Sequence, residues 1–273
     1  MNWNRRAVTG ACLLAVVVLV VWGGPLVSPW SWDGTDLASF GEGPSARHWL
    51  GTTQSGRDVF ATTLRGARRS LLIGLLVAVT STGLAAAVGT VAGYAGGRLD
   101  RALMWSVDLL LVLPSLLVVV LLAPCLGGGV LALVPLLAAF MWMVTARSVR
   151  AMTVALRDRE YVLAARFAGV GAPRVIVRHV VPQLASLLIV DASLNVGVAI
   201  MAESGLSFLG FGVRPPDVSL GTLIAETCGT AAAYPWPFGF AAGLLVVIVL
   251  AVNLLADGLR DVLDPTSELE GKR

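Results

Sequence analysis

Lysine is almost missing from this chain of 273 residues, which has one, Lys272. A phosphate-cradling GxxxxGK[ST] loop needs a lysine directly after its glycines, so the chain is not expected to hydrolyse ATP itself. Histidine is nearly as scarce: His48 and His179 stand alone, with no HExxH around them. No GxSxG sits on a strand-turn-helix pattern, and no Cys/His pair is evident. The three cysteines, Cys12, Cys125 and Cys228, are scattered without a CxxC or any metal-ligand spacing, and read as small apolar fillers. The acids Asp108, Asp191 and Glu203 fit no named carboxylate-pair motif. No catalytic residue, metal ligand or cofactor is therefore expected here. Charge is also short, at 14% of residues, against roughly 25% in soluble domains.

Apolar residues fill the space: 56% of the chain, with a mean hydropathy of +0.81. This composition predicts an integral membrane protein, all-α, with six transmembrane helices at 7–22, 71–95, 102–123, 130–149, 184–201 and 238–255. The first run follows Arg5 and Arg6 and ends Trp22-Gly-Gly-Pro25 without an A-x-A site, so it reads as an uncleaved span. The segments expected are an N-terminal span at 1–27, an extracytoplasmic stretch at 28–69, a five-helix core at 70–258 and a tail at 259–273. Within 28–69, His48 beside Trp49 reads as structural, and Arg57 and Asp58 as residues that order the helix after them. Gly89, Gly93 and Gly97, four apart, predict a smooth ridge for close helix packing.

The stretch 160–182 differs from everything around it. It is basic, Ala-rich and water-compatible, and it reads as two short helices. Gly169 suits a left-handed position just past the first, and Pro173 the first turn of the second. The small face formed by Ala164, Ala165 and Ala168 would let another protein approach closely.

The run Ala164-Ala165-x3-Gly169, with Pro182 thirteen residues after the glycine, resembles the "EAA" coupling loop of ABC-importer membrane subunits. The flanks 157–162 and 178–182, the segments 48–71 and 96–115, the stretch 201–216 and the end 253–265 resemble the dipeptide/oligopeptide permease branch of that family, in its order along the chain. The resemblance implies a loop, 155–182, that docks into a groove on an ATPase through Glu160, Leu163, Ala164, Ala165, Arg166, Ala168, Gly169 and Pro182. One departure stands out. The motif's opening glutamate falls on Leu163, and Glu160, one turn earlier, is the acid that could replace it. Further implied are a second homologous permease, two ATP-binding subunits that hold ATP and Mg, and an extracytoplasmic peptide-binding protein. The implied activity is passage of di- or oligopeptides between the two permeases. The same machinery for nickel or a haem-like ligand, or a secondary transporter needing no ATPase, are the alternatives. The partners expected are thus protein and membrane lipid, and no nucleic acid.

Five polar residues in or just after the spans are path or gate candidates: Asp108, Asp191, Asn195, Glu203 and Ser207. Asp108 either faces the path or pairs with Arg101 or a neighbouring helix. Asp191 and Asn195, four apart and so on one face, either line a pathway or bond another helix. Residues 201–213, carrying Glu203 and Ser207, read as a short apolar helix with glycine breaks at the outer mouth. Orientation is set by the basic residues: 14 of the 20 fall on the side that holds both termini and the 147–178 region. The richer side is expected to be cytoplasmic in a plasma (inner) membrane.

Overall fold

The computed structural model describes residues 5–127 and 129–263, and the expected tail lies outside the described residues from 264 onward. Among the described residues every regular element is a helix, and the loops add only two isolated antiparallel bridges, Thr35 to Arg57 and Thr52 to Asp58. Four helices are long and apolar enough to cross a membrane: α1 (Arg5–Val27), α2 (Val59–Ala95), the continuous run Ala172–Phe208, and α11 (Pro235–Leu263). Two bent pairs raise this to six if each pair is one span.

Helix α2 is the central post. It begins at Val59, twelve residues before the apolar run, because Asp58 caps it: the Ala61 N–H donates to the Asp58 carboxylate at 2.8 Å. Its far half packs on α6 (Met143–Arg157) through glycine. A Cβ at Gly89 would come within 2.6 Å of the Ala146 carbonyl, and one at Gly93 within 2.8 Å of the Arg150 carbonyl. Gly97 is not part of this ridge. Helix α2 stops at Ala95, and Gly97 opens α3 (Gly97–Val112) with open space around it.

The expected span 102–123 is broken. Helix α3 and α4 (Ser115–Leu122) meet at an angle of 80°. Pro114 has no N–H to donate and forces Leu113 into an extended conformation, with ψ at 130°. The span expected at 130–149 also bends, by 47°, between α5 (Val130–Met141) and α6. There the Trp142 indole donates to the Ala139 carbonyl at 2.9 Å, taking an acceptor that the helix ladder would use.

The fifth span is longer than expected. After α7 (Glu160–Phe167), α8 (Ala172–Val175) passes into a π-turn at Ile176–Val180 and a 3-10 turn at Val181–Leu184. These absorb Pro182, and α9 (Ala185–Phe208) continues. Residues 201–208 are therefore the end of a long helix rather than a separate short one, and the chain turns only at Gly210, φ +83°. Helix α10 (Leu220–Cys228) folds back over the α2–α9 contact. One buried cluster joins α2, α4, α5 and α9 around Ile73, Leu133 and Leu206; another joins α1, α2, α9 and α11 around Val21, Leu64, Ile200 and Ile248. The three cysteines are free and exposed rather than packed as fillers, on helix surfaces where a small apolar side chain carries no penalty.

Residues 28–58 form a loop around a buried histidine. His48 is fully buried, stacked on Trp30, with Nδ1 2.9 Å from Asp58 and Nε2 3.4 Å from Asp36. Its ring thus bridges two carboxylates of the loop, and the tryptophan it stacks on is Trp30 rather than the adjacent Trp49, which meets Phe60.

Candidate functional site

Helix α7 is short and projects from the end of the bundle that carries the α2–α3 turn. Its end is a Schellman turn: the Val170 N–H donates to the Ala165 carbonyl at 3.1 Å, and the Gly169 N–H to that of Arg166 at 3.0 Å. Gly169 has φ +78°, which costs a residue with a Cβ about 1–2 kcal/mol. Pro173 sits in the first turn of α8, where its missing N–H is harmless. Buried Val162 turns inward, and Leu163 and Ala165 are half-buried. The outward face holds Glu160, Tyr161, Ala164, Phe167 and Ala168. Phe167, 89% exposed, is the largest apolar group on that face, and sequence reasoning passed over it. Its position seven after Glu160 and three after Ala164 was the available signal.

Two arginines reach the end of α2, one from the last turn of α6 and one from α7. Arg157 Nη1 donates to the Gly93 carbonyl at 3.1 Å, and the Arg166 guanidinium lies 5.9 Å from the Tyr94 ring centroid. Arg150 forks onto Asp100 at the start of α3, with its Nη2 2.6 Å from Oδ2. Arg157 and Arg150 thus tie α6 to α2 and α3, and Arg166 ties α7 to α2.

The polar residues inside the helices fall into three separate groups. Asp108 pairs with Arg147 of α6, not with Arg101. Both side chains remain open, at 56% and 51% exposure. Asp191 of α9 accepts from three donors: Thr145 at 2.7 Å, Asn195 at 2.9 Å and Thr82 at 3.1 Å. This clamps α9 to α2 and α6, and Asn195 works within its own helix. Asp191 also lines a cavity of about 470 Å³, with Met152, Ser186 and Arg260.

Glu203 and Ser207 form the third group. Glu203 is fully buried. Its carboxylate accepts from Ser70 at 2.9 Å and from Ser207 at 2.6 Å. Ser70 Oγ accepts in turn from the Leu220 N–H, and Ser207 Oγ from the Val213 N–H. Helices α2, α9 and α10 and the turn after Phe208 are thereby tied together. Among the described residues no cation lies at ion-pair distance from Glu203. Ser70 and Thr82 carry no signal in the sequence because lone hydroxyls in apolar runs are ordinary in membrane helices.

The described residues thus form a many-helix membrane protein with buried polar clamps and a short projecting helix. Its class comes from comparison: residues 85–268 match the binding-protein-dependent transport system inner membrane component, a transport permease family, and the chain belongs to that family. It is 52% identical to the oligopeptide transport system permease protein OppC of Mycobacterium tuberculosis, over 97% of this chain and 91% of that one. The same values hold for the OppC of Mycobacterium bovis. The OppC of Bacillus subtilis is 35% identical over 96% of this chain and 86% of its own.

Proposed function

We propose that the chain is one of two permease subunits of an importer for di- or oligopeptides, driven by two separate ATP-binding subunits that hold ATP and Mg. The supporting observation is α7, capped by Gly169, held against the end of α2 by Arg166 and presenting Tyr161, Ala164 and Phe167 outward. A short helix with a small-and-aromatic face, on a member of this transport family, suits a groove on an ATPase. Glu160, exposed in the first turn, stands in for the acid that Leu163 lacks. The names of the OppC relatives supply the peptide cargo.

In this reading each bent pair is one span, giving six, with both termini and α7 in the cytoplasm. Residues 28–58 then face an extracytoplasmic peptide-binding protein. Asp108 lies about 15 Å along α3 from Arg98 at 1.5 Å per residue, well inside the membrane. An ion pair left open at that depth is not stable against lipid. The α3–α6 face that carries Asp108 and Arg147 therefore turns toward the second permease or the water-filled path. Closure of the ATPases pushes α7. Arg166 and the short link from α7 back to α6 carry the push into α2 and α6, Arg150 passes it on to α3, and the path opens inward.

The experiment is co-purification from native membranes in mild detergent, with mass spectrometry of the proteins retained with the chain. A second permease with P-loop ATPases is expected. The chain alone, in a preparation where complexes demonstrably survive, would overturn the reading.

A further inference from the structure

Asp191 is a carboxylate inside the span Ala172–Phe208, and among the described residues no cation lies at ion-pair distance from it. Hydrogen bonds from Thr82, Thr145 and Asn195 hold both oxygens in place, yet the residue is not sealed off. It opens into the cavity between α6, α9 and α11. The volume of that cavity, about 470 Å³, lies within the roughly 300–1,000 Å³ typical of small-ligand sites. Its walls are apolar, from Met152, Leu187, Val190 and Leu194, and Arg260 is its second charged lining residue. An open, mostly apolar cleft with one fixed anion and one cation is complementary to a short zwitterion. The anion is oriented by three donors before any ligand arrives, which lowers the cost of binding a cation there. A purely structural clamp would have no need to face a chamber of this size.

We propose that this chamber is a holding site for short peptides, which it takes by their ends: the terminal ammonium on Asp191 and the terminal carboxylate toward Arg260. Such a site would accept peptides irrespective of side chains, since every unmodified peptide carries both groups. The proposal rests on the importer reading above and adds a ligand site to it.

The test uses the intact transporter in nanodiscs, without its soluble binding protein, with Cys12, Cys125 and Cys228 replaced by serine. A Ser186→Cys variant places a thiol in the chamber wall, and its alkylation by a maleimide is timed. Tri-alanine is expected to slow alkylation about tenfold, the factor one charge-assisted hydrogen bond can supply. N-acetyl-tri-alanine should give little protection, and Asp191→Asn should abolish the difference between the two. Because Asp191 also ties helices together, Leu194→Phe is the second variant: it narrows the chamber, leaves the carboxylate and its donors in place, and should weaken protection by tri-alanine. Equal protection by both peptides would overturn the proposal. So would a thiol that never reacts, which would mean that another subunit fills the chamber. ATP hydrolysis stimulated by added peptide-loaded binding protein is measured on the same particles. Stimulation without protection overturns this site alone, and loss of both overturns the importer reading with it.

Discussion

Ser70 and Glu203 are 133 residues apart in the chain and 2.9 Å apart in the structure, hydroxyl to carboxylate. That bond joins the central post α2 to the end of α9. The Leu220 N–H donates to the same hydroxyl at 3.2 Å, so α10 is held by the same pair. A buried acid without a cation is stable only while its acceptors are filled. Ser70 and Ser207 fill them.

Glu203→Ala is expected to destabilise the chain by about 1–3 kcal/mol, because it strands the Ser70 and Ser207 hydroxyls in a dry site. Glu203→Gln should cost less, since an amide oxygen still accepts. Thermal unfolding in detergent reads both. An unchanged midpoint for the alanine variant would show that the network contributes no net stability.

Gly93→Val should separate α2 from α6. Its Cβ would meet the Arg150 carbonyl at 2.8 Å and the Thr153 side chain at 2.7 Å, and overpacking of this kind costs roughly 1–3 kcal/mol. Gly83→Ala is the control on the same helix, since its Cβ meets nothing within 4 Å. The prediction is reduced yield and thermal stability for the first and no loss for the second. Equal behaviour of the two would contradict the glycine contact.

Phe167→Ala removes a side chain that is 89% exposed. The stability of the isolated chain should stay within about 0.5 kcal/mol. If α7 docks as proposed, stimulated ATP hydrolysis in the assembled transporter should fall about tenfold, as for an aromatic anchor at an interface. Leu163→Glu should leave hydrolysis equal or higher. Hydrolysis unaffected by Phe167→Ala would move the docking surface elsewhere.

Acid should loosen the 28–58 loop. Asp36 is held below its ordinary value of 3.8, first by the hydrogen bond from the Ala38 N–H and further by His48 and Arg47, against desolvation. A depressed carboxylate contributes stability that is fully present above its unfolded value and is lost as pH falls through its folded value. Protection of this loop against hydrogen exchange, with the intrinsic pH dependence of exchange divided out, should therefore fall as pH drops below the ordinary carboxylate value. The dependence should flatten in Asp36→Asn, and an equal pH profile in the variant would assign it to another group.

The membrane character, the apolar runs and the two-helix grammar of 160–182 are legible in the sequence because each rests on local chemistry: hydropathy, a glycine at a left-handed position, a proline in a first turn. Breaks and partnerships are less so. Pro114 is visible, but an 80° turn rather than a mild kink goes with the packing of α4 on α5 and α9 through Val119, which no local pattern marks. The π and 3-10 turns around Pro182 hide the continuity of α8 with α9. For Asp108 the sequence offers Arg101, its near neighbour, or an unnamed residue of another helix, and the packing of α3 on α6 delivers Arg147. Thr82 and Thr145 carry no sequence mark, since their role is defined only by Asp191 on a third helix.

The run Ala172–Phe208 is a lever about 55 Å long at 1.5 Å per residue. One end is the second helix of the projecting loop, and the other carries Glu203 and its hydroxyl partners. A tilt imposed at Pro173 must reappear at Ser207 unless the rod yields. The place where it can yield is Ile176–Leu184, where the hydrogen-bond spacing changes twice within nine residues. The stiffness of that short segment sets how much of a push at one face of the bundle arrives at the opposite face.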